Sequence, residues 1–139
     1  LDEIERGIAK PRPQIGEPTY CRKIAKEDGH IDWHRPSCEI DARIRAFDPW
    51  PGSFTFLRDL RLFVLEAEPF DDFKPMSNAG YMTNPSPGTI IATVVPKGII
   101  VRAENGYIAI KRLQVATRKA IGFQEFSHGA RDIIGAVLR

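Results

Sequence analysis

Two histidines stand four residues apart in His30-Ile31-Asp32-Trp33-His34. On a helix that spacing would put both imidazoles on one face, where they could share a metal ion. The pattern lacks the glutamate that serves a zinc protease as general base, because Ile31 occupies that place. The flanking residues do not repeat at helical spacing, so Asp32 is expected to make a local turn or ion pair and Trp33 to pack. The two cysteines, Cys21 and Cys38, have no second pair to complete a zinc pattern and are expected as free thiols. The carboxylate pairs Glu27-Asp28 and Asp71-Asp72 lie outside any acid–base motif, and no phosphate loop or nucleophile elbow occurs. These residues predict no catalytic, metal or cofactor site.

The remaining chemistry is cationic. The formal net charge of +2 conceals an asymmetry: residues 1–96 carry 12 basic and 15 acidic side chains, a balance of −3. Residues 97–139 carry 8 basic and 3 acidic ones, a balance of +5, which is the sign of a surface turned toward a polyanion. Lys111 and Arg112 share one strand candidate, Lys97 and Arg102 flank its neighbour, and Arg118-Lys119 follow the strand's end. On adjacent strands such cations can grip phosphates, which positions a nucleic acid without reading its bases. A solvated sheet face would carry the same composition.

The elements that would hold these cations can be read from periodicity. At 139 residues, with 42% apolar and 27% charged content, the chain suits one globular domain. No apolar run approaches the roughly 20 residues of a membrane span. Residues 2–9 predict a helical turn or two, with Ile4 and Ile8 four apart. Residues 10–18 hold three prolines and read as a semi-rigid linker, so residues 1–19 are expected to end an upstream domain. Residues 20–139 are then the folded unit. Pro36 suits a helix's first turn, and Ile40, Ile44 and Phe47 form one apolar face, before Asp48-Pro49-Trp50-Pro51-Gly52 stops the helix. The period then changes to two. Phe54 and Phe56 share one side of a strand, and Phe63, Leu65 and Ala67 one side of the next, Leu60–Ala67, with Arg58-Asp59 as the turn. A loop over 69–88 follows, pinned by Phe70, Phe73, Tyr81 and Met82. Three more strands, Thr89–Val95, Ile99–Ala103 and Tyr107–Val115, are separated by Pro96-Lys97-Gly98 and Glu104-Asn105-Gly106. Within the last, Leu113 breaks the parity of Ile108 and Ile110, which asks for a bulge or a bend near Lys111–Arg112. Residues 122–128 could form a short helix. The pattern predicts a mainly β protein: a small OB-like, five-stranded antiparallel barrel of Greek-key type, with one helix before it and a short C-terminal helix. A meander packed on the helix is the alternative.

The order of these residues also resembles a known family. Tyr20, Lys23-Ile24, Lys26-Glu27-Asp28 and Ile31-Asp32-Trp33 look like the linker-to-domain segment of methionyl-tRNA formyltransferases. Ile44-Arg45-Ala46-Phe47-Asp48-Pro49-Trp50-Pro51-Gly52 resembles that family's most distinctive C-terminal signature. Pro87-Gly88-Thr89-Ile90, Leu113-Gln114, Arg118-Lys119 and Phe126 resemble its later landmarks, so the likeness runs from about residue 2 to 138. Asp48 stands where the family commonly has Asn, and Ala116-Thr117 replaces a frequent Ala-Gly step. The family's folate-binding and catalytic segments have no counterpart in these residues.

The resemblance implies a cytoplasmic, monomeric translation-initiation enzyme. Its upstream catalytic domain, in cis, moves a formyl group from 10-formyltetrahydrofolate to the methionine of initiator tRNA. The C-terminal barrel would hold tRNA without sequence specificity. Lys23, Lys26, Arg118, Lys119 and Arg131 are the first phosphate contacts implied, and Arg43, Lys97, Lys111 and Arg112 the next. Arg45 and Trp50, inside the signature, are expected to be structural, Trp50 in the core. Two other readings stay open. A relative acting on a small molecule, such as a formyltetrahydrofolate hydrolase or dehydrogenase or a sugar-nucleotide formyltransferase, would bind no RNA. An independent single-strand binder would need exposed strand aromatics, whereas Phe54, Phe56, Phe63 and Tyr107 are expected to be mostly core.

Overall fold

The computed structural model describes residues 2–8, 10, 13, 15–74, 85–130 and 132–139. A single helical turn, α1 (Asp2–Glu5), leaves Ile4 and Ile8 exposed. A 3-10 turn over Lys26–Gly29 precedes α2 (Ser37–Ala46), which starts behind Pro36 as the missing N–H there favours. Ile40 and Ile44 are the buried face of α2, and the turn at 47–52 ends it, Gly52 N–H donating to the Phe47 carbonyl at 2.9 Å. Six strands follow: β1 (Ser53–Leu57), β2 (Leu60–Pro69), β3 (Ile90–Val94), β4 (Gly98–Arg102), β5 (Tyr107–Val115) and β6 (Ala120–Gly122). The short helix α3 (Phe123–Gly129) packs Phe126 into the core. Among the described residues no helix is long and apolar enough to cross a membrane.

All pairings between these six strands are antiparallel, in the order β1-β2-β5-β4-β3 with β6 also on β5. Strand β2 lies beside β5, not beside β3, so β2 to β5 form a Greek key and the meander is excluded. Sequence periodicity finds five of these strands; the three-residue β6, which pairs with β5, is too short to show a period. Register shifts leave one extra residue in β2 at Leu65 and one in β5 at Lys111, the latter where the broken parity places it.

The sheet's two edges, β1 and β3, do not pair with each other. Residues 135–139 lie between them. Gly135 N–H donates to Ile90 O at 2.7 Å, Ile90 N–H to Ala136 O at 2.8 Å, and Leu138 N–H to Gly88 O at 2.8 Å. Phe56 and Arg139 exchange backbone bonds of 2.7 and 3.0 Å. The tail therefore closes a small barrel. Gly88, at φ +86°, lets the tail pass this closely: a Cβ there would run into the Leu138 carbonyl. Trp33, 3% exposed, lies in the core and donates its indole N–H to Thr55 Oγ1 at 3.1 Å.

Three expectations about side-chain direction are corrected. In β1 the core cluster takes Leu57, with Ser53 and Thr55 on its side; Phe54 is buried as expected, 7% exposed, but on the opposite side with exposed Phe56. In β2 Leu62 and Val64 enter the core and Phe63 does not; the bulge splits the side expected for Phe63, Leu65 and Ala67, and Ala67 beyond it packs against the core. The cause is compensation on the outer face: Phe54, Phe56, Phe63 and His30 cluster there with centroids 5.3–6.2 Å apart. Arg61 covers the cluster, 3.7 Å from the Phe54 centroid. The signature's Trp50 is 55% exposed, not core. It sits in the middle of a turn flanked by two prolines and closed by the Gly52–Phe47 bond, so it points away from the elements the turn connects. Phe70 and Phe73 do pin their loop: Phe70 N–H donates to Tyr107 O at 2.8 Å, and Phe73 stacks edge-on against Tyr107. Tyr81 and Met82 lie outside the described residues.

Candidate nucleic-acid interface

The structure sorts the sequence-derived cations into three groups. The first is in the approach to the barrel. Lys23 and Lys26 are exposed. Arg43 reaches back from α2 to donate to Asp28 O at 3.0 Å and lies over the Phe47 ring, so part of its donor capacity is already used. Arg22 grips Asp28 with both terminal nitrogens, and this bond, with the Ala25 N–H, holds the Asp28 carboxyl well below the usual carboxylate range.

The second group is Lys97 and Lys111, which share Glu68 on β2. Their Nζ atoms lie 3.5 and 2.6 Å from its two carboxylate oxygens. The Lys111 hydrogen bond lowers the Glu68 carboxyl and raises Lys111 in return. A carboxyl lowered in the folded state adds stability above the ordinary carboxylate range and loses it as pH falls through the lowered value. The groups are about one-third or more exposed, so the gain is under about 1 kcal/mol. Glu68→Gln is accordingly expected to cost less than about 1 kcal/mol at neutral pH, vanishing in acid, while releasing two lysines. Denaturant melts at pH 7 and pH 3 check the sign; a larger loss in acid would refute it.

The third group borders the turn between β5 and β6. Arg118 and Lys119 are exposed, and no described carboxylate lies within ion-pair distance of either. Gln114 fixes this turn by donating to Arg118 O at 2.6 Å. Arg112, exposed, pairs with Gly122 on β6. Arg131 falls outside the described residues.

Arg118 and Lys119 rim a groove of about 610 Å³ between the β1–β2 turn, the β5–β6 turn and α3. A third rim cation is Arg58, which the sequence marks only as part of a turn. It adopts φ +56° and its guanidinium bonds Asp132 O at 3.4 Å, so it reaches toward the far bank. Glu125 is the one acidic residue among those lining the groove. Periodicity cannot reveal such a site, because Arg58 and Arg118 are 60 positions apart and meet only through barrel closure.

The paired histidines separate. His30 joins the outer aromatic cluster, while exposed His34 lies near Asp32, 3.6 Å from Nδ1 to Oδ1. Asp32 makes the expected local turn, accepting the His34 N–H at 3.0 Å and Arg35 Nε at 3.3 Å. The His34 N–H, above its other partners, lowers the Asp32 carboxyl. Arg45 makes a surface ion pair with Asp41, 3.1 Å apart. Cys21 and Cys38 are free and exposed. Among the described residues no three His, Cys, Asp or Glu side chains converge.

Comparison with known proteins adds three findings. The family described as formyl transferase, C-terminal domain, matches residues 23–131. Methionyl-tRNA formyltransferase of Treponema denticola is 35% identical over 96% of the chain and 41% of that protein. Its counterpart in Rickettsia africae is 31% identical over 100% of the chain and 41% of that protein. The chain thus spans about two-fifths of these relatives. Among solved structures, HypX from Aquifex aeolicus in complex with tetrahydrofolic acid superposes with a TM-score of 0.57 at 20% identity. That match covers 90% of this chain and 21% of HypX, and it speaks for the fold alone.

Proposed function

Because the chain belongs to the formyl transferase C-terminal domain family, we infer that it is the tRNA-gripping part of a methionyl-tRNA formyltransferase. In this reading residues 20–139 form the RNA-holding domain, and residues 1–19 link it to an upstream catalytic domain. That domain moves the formyl group from 10-formyltetrahydrofolate to methionine on initiator tRNA in the cytoplasm. The present residues supply grip and no bond-making chemistry, and they act as a monomer.

The observation that carries this reading is the set of cations left without acidic partners on the β5–β6 turn, in a chain similar over nearly its whole length to methionyl-tRNA formyltransferases. Lysine and arginine on an exposed turn exchange condensed counterions for phosphate contacts, a favourable step that weakens as salt rises. Lys23 and Lys26 extend the surface along the approach, and Lys97, Lys111 and Arg112 along the sheet.

The test is direct titration of the 139-residue chain with tRNA at several salt concentrations. Weak binding is expected, with log K falling by roughly 0.7–0.9 per phosphate contact per decade of salt. No formyl transfer is expected from the chain alone. Absence of any tRNA binding at low salt would favour the competing reading, a domain of a related folate-dependent enzyme that acts on a small molecule.

A further inference from the structure

We propose that the groove beneath Arg58, Arg118 and Lys119 receives one unpaired nucleotide of a bound RNA, its base against the aliphatic floor and its phosphate on the cationic rim. The proposal rests on the tRNA-binding reading above and says how part of that grip works.

Size permits it. The groove measures about 610 Å³, within the roughly 300–1,000 Å³ typical of small-ligand sites. Its floor is Leu57, Leu60, Val115, Ile121 and Ile133, with Phe126 behind. Leu60 is 52% exposed, so the floor meets solvent as an apolar surface. Arg58, Arg118 and Lys119 face Glu125 in the lining, while exposed Asp59 and Asp132 border it beside Arg58, so the cationic side is the Arg118–Lys119 bank and the occupant it suits is an anion with a flat apolar body. A nucleotide has both, the base face being apolar and every phosphate charged. A floor of aliphatic side chains offers no hydrogen-bond pattern, so any base would fit. This matches a grip that positions RNA without reading it.

The backbone around the groove supports the same conclusion. Among the described residues the three non-glycine residues with positive φ are Arg58, Thr117 and Asp132, at 56°, 72° and 57°. Each borders the groove: Arg58 lines it, Thr117 precedes Arg118, and Asp132 precedes Ile133 and accepts the Arg58 bond. A left-handed residue other than glycine is disfavoured by its Cβ and persists where its surroundings hold it. At Arg58 the positive φ is what the two-residue turn between Leu57 and Leu60 requires, and it carries the guanidinium to the groove's rim.

A base stacked inside a stem cannot enter such a groove, whereas a loop or bulge nucleotide can. The chain should therefore prefer an RNA stem-loop over the same stem as a blunt duplex by roughly tenfold, the effect of removing about 55 Å² of apolar surface from water as a base covers the Leu60 floor. Replacing Leu60, already half exposed, should not unfold the chain, which a thermal melt verifies. Leu60→Ser should abolish the stem-loop preference while leaving the salt slope unchanged, since no phosphate contact is lost. Leu60→Met should keep the preference. Equal affinity for stem-loop and duplex, or a preference untouched by Leu60→Ser, would overturn the groove's role and leave tRNA binding standing. Failure to bind any RNA would overturn both.

Discussion

Deleting residues 135–139 is expected to unfold the chain, not to trim it. These five residues join β1 to β3 through five backbone hydrogen bonds of 2.7–3.0 Å. They also place Leu138, 3% exposed, in the core and give Thr55 Oγ1 its acceptor, Arg139 O, at 2.9 Å. Each backbone bond contributes about 1 kcal/mol net, and burying a leucine about 2 kcal/mol. The sum approaches the whole stability of an ordinary domain, roughly 5–15 kcal/mol. Removal also opens the edges of β1 and β3, which then invite pairing between chains. Urea denaturation followed by circular dichroism reads the outcome: the truncated chain should lose its cooperative transition or aggregate. A transition within about 1 kcal/mol of the full chain would show that the sheet closes without its tail. The point substitution Leu138→Ala tests the same contact more gently and should cost about 2–4 kcal/mol.

The second large effect concerns binding. Changing Arg118 and Lys119 together to alanine should lower tRNA affinity about thirtyfold near 0.1 M salt. It should also flatten the slope of log K against log salt by roughly 1.4–1.8, the value of two phosphate contacts. Both side chains are exposed, so the fold should be unaffected. Stability is measured alongside, and an unchanged slope with intact folding would clear both residues of the role. Glu68→Gln provides the opposite control. It removes the carboxylate that Lys97 and Lys111 share, so an affinity that rises at low salt would place those lysines on the RNA surface as well.

Much of the local structure was legible in the sequence because local forces set it. Pro36 and the Ile40–Ile44 spacing start and orient α2, and the Pro-Trp-Pro run ends it. Asn105-Gly106 turns β4 into β5, and Gly106 at φ +110° supplies the conformation that turn needs. The parity break at Leu113 asks for a bulge or a bend near Lys111–Arg112, and the register shows the bulge, with the extra residue at Lys111.

What the sequence left open is which face of β1 and β2 is the core. Phe54, Phe56 and Phe63 read as inward by hydrophobicity alone. Leu57, Leu62 and Val64 are inward instead, because His30 and Arg61 shelter the phenylalanines outside. No rule of alternation distinguishes two apolar faces when both are covered. β6 was too short to show a period, and Trp50 reads as core until the turn that holds it is seen.

The sequence by itself determined the family, the order of the elements and the cationic bias of residues 97–139, since motifs, periods and charges are properties of the chain read along its length. Only the tertiary structure decided that the tail closes the barrel, that Glu68 engages two of the candidate lysines, and that Arg58 joins Arg118 and Lys119 over one groove. Each of these brings together residues far apart in the chain. Their meeting depends on Greek-key pairing and barrel closure, which the pattern around any single residue does not encode.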